Sequence, residues 1–164
     1  MQVSLRMLSR RRTLALLAIL VVGLTAALLA GGVGPASASG TFQLRDYQTG
    51  RCLDSNYNGA VYNNSCNSGN YQRWYFAAGY ATTIQDEQTG LCLTNTYAGN
   101  PGGLATGACI GAPNQVWYVN QGQYGWQIKN YSTGQCLDSN YSGPPGAAYS
   151  LGCNGGPYQI WVPS

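Results

Sequence analysis

The sequence predicts an all-β domain of three similar units, preceded by an N-terminal export leader. Three observations carry this. The chain after residue 38 is rich in Tyr, Trp, Gly, Asn and Ser and poor in aliphatics; it repeats itself three times; and it holds all six cysteines, two per repeat.

The leader comes first. Residues 1–12 carry Arg6, Arg10, Arg11 and Arg12, residues 13–30 are uncharged and almost wholly apolar, and Ala36-Ser37-Ala38 supplies an A-x-A cleavage site. Basic head, apolar middle and small-residue end describe a secretory signal peptide over residues 1–38. The stretch from Ser9 to Leu14 also follows a twin-arginine pattern, with Thr13 where an aromatic is usual, so both export routes stay open. An uncleaved 18-residue anchor is the rival reading, and the cleavage site speaks against it.

Cleavage leaves residues 39–164. Four basic residues (Arg45, Arg51, Arg73, Lys129) and five acidic ones (Asp46, Asp54, Asp86, Glu87, Asp138) remain, so the net charge moves from +3 to −1. Nucleic acid calls for clustered Lys and Arg, and anionic membranes call for the same, so neither is an expected partner. The chain has no His, hence neither the usual metal ligand nor a proton shuttle, and no cofactor or metal is expected. Leu, Ile, Val and Phe number 17 of the 126 residues, a share that would suggest disorder were the charge not near zero and the chain not carrying 13 Tyr and 4 Trp. Tyr, Trp and Val favour strands, whereas Gly, Asn and Ser favour turns.

The repeats, at about 41–79, 80–122 and 123–164, share one plan. They open with FQLRDYQTG, TTIQDEQTG and WQIKNYSTG, placing Leu44, Ile84 and Ile128 six residues before Gly50, Gly90 and Gly134. Cys52, Cys92 and Cys136 then begin CLDSN, CLTNT and CLDSN. A second Cys follows at 66, 109 and 153, and six residues later comes Gln-x-Trp, at Gln72–Trp74, Gln115–Trp117 and Gln159–Trp161. Each copy reads as four short strands, in the first copy at 42–47, 51–55, 60–65 and 72–77, with Thr-Gly making the first hairpin turn because Gly accepts a positive φ. One such unit is too small to bury its own core; three around a common axis bury a shared one and shelter their strand edges. A central barrel capped by three hairpins, a β-trefoil, meets these needs. A three-bladed propeller has fewer blades than propellers usually require. In an exported chain an even cysteine count implies disulfides, and the repeat selects Cys52–Cys66, Cys92–Cys109 and Cys136–Cys153, one per repeat. Trp74, Trp117, Trp161 and Trp126 are expected in the core.

The chemistry-bearing positions differ among the copies. Asp54 and Asp138 follow Cys-Leu in copies one and three, with Tyr62, Asn67 and Tyr71 accompanying the first and Tyr149, Asn154 and Tyr158 the second. The middle copy has Thr94, Ala105, Ile110 and Asn114 there, yet keeps Cys92, Cys109, Gln115 and Trp117. This contrast separates scaffold from binding. A fixed carboxylate, an amide and aromatic rings together offer directed hydrogen-bond partners beside an apolar surface. Two binding sites are therefore expected, in the first and third copies, with Gln72 and Gln159 supporting from behind. Glycoside hydrolysis commonly uses two carboxylates roughly 5–10 Å apart, whereas Asp54 and Asp138 belong to different lobes. A Ser-His or Cys-His nucleophile is impossible without His, so no catalysis is expected.

Three copies of about 43 residues ending in Gln-x-Trp, in register with Cys-Leu-Asp, resemble the ricin B-type β-trefoil lectins over the whole mature chain. LDSNYNGAVY (53–62) with NYQRW (70–74), echoed by LDSNY (137–141), AAYSLGCNGG (147–156) and YQIW (158–161), resembles the actinohivin-like high-mannose-binding lectins. The resemblance implies a secreted lectin for terminal α1-2-linked mannose, with Asp54, Tyr62, Asn67, Tyr71 and their third-copy counterparts contacting the sugar and Leu151 lending apolar support. The first copy departs with Asn64 in place of that leucine, and the third spaces Asp138 and Tyr149 by eleven residues against eight, including Pro144-Pro145. A galactose- or xylan-binding module and a secreted protein-interaction or inhibitor trefoil are the alternatives.

Overall fold

Leu44, Ile84 and Ile128 occupy the same place in the three copies, and each is fully buried on its repeat's first strand or between that strand's two halves. The computed structural model describes residues 39–141, 143 and 145–164; the expected export leader over residues 1–38, Ser142 and Pro144 lie outside the described residues. The first repeat contains β1 (Ser39–Asp46), β2 (Cys52–Ser55), β3 (Val61–Asn64) and β4 (Arg73–Ala77). The second has β5 (Ala81–Thr83), β6 (Gln85–Asp86), β7 (Cys92–Tyr97), β8 (Gly103–Gly107) and β9 (Val116–Gln121). The third has β10 (Trp126–Asn130), β11 (Gln135–Ser139), β12 (Gly146–Gly152) and β13 (Trp161–Pro163). A 3-10 turn precedes the last strand of each repeat, at Asn70–Gln72, Pro113–Gln115 and Pro157–Gln159.

The first and last strands close a barrel. β1 pairs with β4, β4 with β6, β5 with β9, β9 with β10, β10 with β13, and β13 returns to β1, all antiparallel. The inner strands form hairpins, β2 with β3, β7 with β8 and β11 with β12. Neighbouring hairpins are tied together: Gly146 and Ala147 pair with Asn63 and Tyr62, Gly102 bridges Ser150, and the Thr106 N–H donates to the Gly59 carbonyl at 2.9 Å. This is the expected β-trefoil. The extra strand beyond four per repeat arises because the first strand of the second copy is interrupted at Ile84, where it leaves β9 for β4. There the Thr82 hydroxyl donates to the Thr83 carbonyl at 2.9 Å, a local side-chain bond of the kind that competes with a ladder.

The core keeps the threefold plan. Trp74, Trp117 and Trp161 are fully buried with Leu53, Leu93 and Leu137. Each indole N–H donates to the leucine carbonyl of its own repeat, at 3.1, 2.9 and 3.1 Å, so the largest core side chains bring no unsatisfied donor inside. Symmetry breaks at one end of the barrel, where Phe42, Phe76 and Trp126 pack with centroids 5.0–5.4 Å apart.

The disulfides join Cys52–Cys66, Cys92–Cys109 and Cys136–Cys153, as the repeat selects. Closing a loop of 17 residues restricts the unfolded chain by roughly 3 kcal/mol in the entropic picture. Replacing Cys92 and Cys109 together by Ser is expected to lower unfolding stability by about that amount, read from a denaturant titration. Unchanged stability would mean that the middle bridge constrains little.

The Thr-Gly turns are Asx-type turns. Asp46 Oδ1 accepts the Thr49 N–H at 2.6 Å, Asp86 Oδ1 accepts that of Thr89 at 2.7 Å, and Asn130 Oδ1 accepts those of Ser132 and Thr133 at 3.1 Å. Gly50, Gly90 and Gly134 close them at φ of 67°, 69° and 69°. Asp46 and Asp86 are fully buried, and each also interacts with a serine on the neighbouring repeat, Ser139 and Ser55. Desolvation raises both carboxyls above the ordinary aspartate value, and the turn N–H groups and hydroxyls only partly offset it. The folded state therefore holds these protons more tightly than the unfolded chain does. The resulting stabilisation is complete below a pKa of about 3.9 and is lost as pH rises through the folded-state value. Asp86→Asn, which copies the Asn130 turn, is expected to raise stability at pH 7, with the gain vanishing as both proteins become neutral near pH 3. Melting curves at the two pH values check the sign, and a gain of equal size at both would overturn this account.

Candidate functional site

The fourth-strand approach positions the first constellation. The 3-10 turn Asn70–Gln72 swings the buried Gln72 side chain under the β2–β3 hairpin. Its amide N–H groups donate to Asp54 Oδ2 at 2.8 Å and to the Ser65 carbonyl at 3.0 Å, while its oxygen accepts the Asn67 N–H at 2.9 Å and the Gln43 amide at 3.0 Å. One glutamine thus ties the carboxylate, the disulfide loop and the first strand together. Asp54 lies directly opposite Tyr62 across the hairpin, so the two side chains share a face. The Tyr62 hydroxyl donates to the Ser55 carbonyl at 3.2 Å. Asn67 Oδ1 accepts the Gly69 N–H at 2.7 Å, an Asx turn that commits the amide oxygen and leaves the NH2 group as the available donor.

The third repeat reproduces this arrangement. Gln159 donates to Asp138 Oδ2 at 2.8 Å and to the Gly152 carbonyl at 3.1 Å, and accepts the Asn154 N–H at 2.9 Å. Tyr149 faces Asp138 and donates to the Ser139 carbonyl at 3.2 Å; Asn154 Oδ1 accepts the Gly156 N–H at 2.7 Å. The longer hairpin of this copy is drawn toward the first repeat, where Arg51 donates to the Gly143 carbonyl at 2.6 Å. Leu151 and Asn64 hold equivalent places opposite Cys136 and Cys52.

Tyr62 and Tyr149 are held above the ordinary phenol pKa, first by desolvation and then by the nearby Asp54 and Asp138 charges. Tyr71 moves the same way through desolvation and through Tyr57. All three remain neutral hydrogen-bonding phenols at physiological pH.

The second repeat keeps the glutamine and loses the carboxylate. Gln115 donates to the Thr94 hydroxyl at 3.1 Å and to the Ala108 carbonyl at 2.8 Å, and accepts the Ile110 N–H at 3.0 Å. Ala105 stands opposite Thr94, Ile110 is exposed, and Asn114 turns its amide to the Asn95 carbonyl at 3.1 Å. The network that supports the acceptor therefore survives without an anionic acceptor.

Sequence reasoning missed Tyr57 and Tyr141. The Tyr57 ring meets Tyr71 edge-on at 5.7 Å and 87°, and Tyr141 meets Tyr158 at 6.3 Å and 87°. The signal was available in the duplicated LDSNY. Asn56 and Asn140, from the same motif, lie beside Tyr62 and Tyr149. A separate shallow hollow, lined by Thr41, Tyr75, Gln85, Asp86, Glu87 and Gly90, includes none of the expected site residues.

The sequence matches the family described as "Ricin-type beta-trefoil lectin domain" over residues 40–161. Solved structures share the fold. The designed threefold-symmetric protein ThreeFoil aligns with a TM-score of 0.68 at 21% identity, over 75% of this chain and 96% of that one. The ricin B-like lectin of Macrolepiota procera, solved in complex with lactose, aligns at 0.66 and 18% identity, over 80% of this chain and 99% of that one. An exo-β-1,3-galactanase from Clostridium thermocellum aligns at 0.68 and 20% identity over 75% of this chain, which spans only 29% of that enzyme.

Proposed function

The chain belongs to the ricin-type β-trefoil lectin family, a carbohydrate-binding fold, and from that premise we propose that it is an exported, non-catalytic lectin for the terminal mannose of high-mannose glycans, with sites in its first and third repeats. The observation that supports this most directly is the twofold recurrence of one constellation, a glutamine-held carboxylate beside two tyrosines and an asparagine, whose counterparts in the second repeat are Thr94, Ala105, Ile110 and Asn114. Gln72 and Gln159 each hold Oδ2 of their carboxylate, and in this reading the carboxylate accepts sugar hydroxyls through its Oδ1. The Asn67 and Asn154 NH2 groups donate to a sugar oxygen, and the tyrosine rings receive the carbon face. Mannose as the target is supported by the likeness of the LDSNY and Gln-x-Trp segments to the high-mannose-binding lectins.

A glycan array with the disulfide-bonded protein tests this. Selective retention by terminal α1-2-mannose is the expected result. Selective galactoside binding would move the specificity toward that of the lactose-bound Macrolepiota procera lectin while keeping the lectin reading. A blank array from folded protein would overturn it in favour of a protein-interaction trefoil.

A further inference from the structure

Tyr57 is unusual for an exposed tyrosine. It is 63% exposed, yet its hydroxyl accepts from Gln88 Nε2 at 3.1 Å and donates to the Gln88 carbonyl at 3.3 Å. Gln88 belongs to the Asp86–Gly90 turn of the second repeat. The third repeat does the same: Tyr141, 53% exposed, donates at 2.7 Å to the carbonyl of Gln48, in the corresponding turn of the first repeat. Fixing an exposed side chain costs conformational entropy, and neither ring gains compensating burial. Each ring also stands edge-on to the second tyrosine of its constellation.

The second repeat supplies an internal control. Tyr97 holds the matching position, but the following turn has Ser132 in place of Gln88 and Asn114 replaces Tyr71. There the ring lies back on its own hairpin, against Gly99 and Gly103, so closely that a Cβ on either glycine would collide with it. Tyr97 is 60% exposed, close to Tyr57, so what differs is the tether: among the described residues, a tyrosine of this position held by the adjoining repeat's turn occurs only where the carboxylate constellation occurs.

We propose that Tyr57 and Tyr141 each form a second sugar subsite, an aromatic platform for the next saccharide unit of an oligosaccharide arm, held in place by the turn of the adjoining repeat. This rests on the lectin reading above and extends it: the carboxylate cluster takes the terminal unit, and the tethered ring takes the carbon face of the unit behind it. A ring already immobilised loses little further entropy on binding, which is what preorganisation contributes to affinity. Gln88 is a positioning residue, acting through Tyr57 with its side-chain amide and its carbonyl, whereas the first-repeat turn holds Tyr141 through the Gln48 backbone carbonyl alone. Each complete site therefore needs two repeats.

The test isolates the first site in an Asp138→Ala background and titrates it, by NMR, with methyl α-mannoside and with an α1-2-linked mannobioside. Tyr57→Ala is expected to weaken the disaccharide about tenfold and leave the monosaccharide within about twofold; tenfold corresponds to about 1.4 kcal/mol. Gln88→Ala is expected to produce a smaller loss on the disaccharide alone. Equal weakening of both ligands, or of neither, would overturn the subsite while leaving the lectin reading intact, and melting curves of each variant separate misfolding from lost contact. If the parent protein binds neither ligand, the mannose reading itself fails and the subsite with it.

Discussion

Asp54→Ala and Asp138→Ala, each alone, are expected to halve the capacity for a monovalent mannoside and to reduce retention on a multivalent glycan surface far more steeply. A hydrogen bond to an ionised acceptor contributes about 1.5–3 kcal/mol net, so loss of the carboxylate weakens its own site by roughly one to two orders of magnitude. Two sites on one rigid body gain avidity of about 10²–10⁴ when the target presents matching ends, and either substitution removes that gain. The scaffold should survive, because Gln72 retains its bonds to the Ser65 carbonyl, the Asn67 N–H and Gln43. The cleaner variant is Asp54→Thr, which recreates the natural Gln115–Thr94 arrangement of the second repeat. It should melt near the parent temperature and still lose its site. Isothermal titration for capacity, together with surface retention for avidity, reads both quantities. If one substitution changes neither, only the other site binds sugar; if Asp54→Thr retains full affinity, the carboxylate is not the anchor.

Trp117→Ala is expected to cost about 3–5 kcal/mol, the range for deleting a fully buried tryptophan, and to leave the protein at or near unfolding at 37 °C. The side chain is completely buried in the shared core and its N–H satisfies the Leu93 carbonyl at 2.9 Å, so truncation leaves both a cavity and a buried acceptor without its partner. The aliphatic-poor core has little with which to fill the space. Trp117 lies in the repeat that lacks the carboxylate constellation, so any effect on the other two repeats must pass through the common barrel. Trp117→Phe fills much of the volume but still removes the donor, and should cost less. Urea titrations of the three proteins, with sugar affinity measured at native conditions for the folded fraction, check this. A mutant as stable as the parent would mean that the repeats do not share one core; a folded mutant with reduced sugar affinity would mean that Trp117 acts on the sites directly.

Much of the molecule could be read from its repeats, because what recurs at one spacing in all three copies is scaffold. Leu44, Ile84 and Ile128, the Gln-x-Trp tryptophans and the cysteine pairs each follow one local rule three times, and they form the core and the bridges. Asp54 and Asp138 stood out by the opposite sign, present in two copies and replaced in one, and the structure places each on its repeat's glutamine. The role of Tyr57 and Tyr141 could not be read in this way, because a tyrosine stands at that place in all three copies. Their hydroxyl partners lie 31 and 93 positions away and belong to other repeats. Asp46 lies beside Ser139 and Asp86 beside Ser55, likewise across repeats. Aligning the copies says which residues are equivalent; it does not say which turn comes to rest against which hairpin. That is decided only when β13 returns to β1 and the barrel closes, since closure brings the turn of one repeat against the strand end of another. The chain by itself determined three scaffolds and two carboxylate clusters, and tertiary packing decided that each cluster faces a wall from the adjoining repeat.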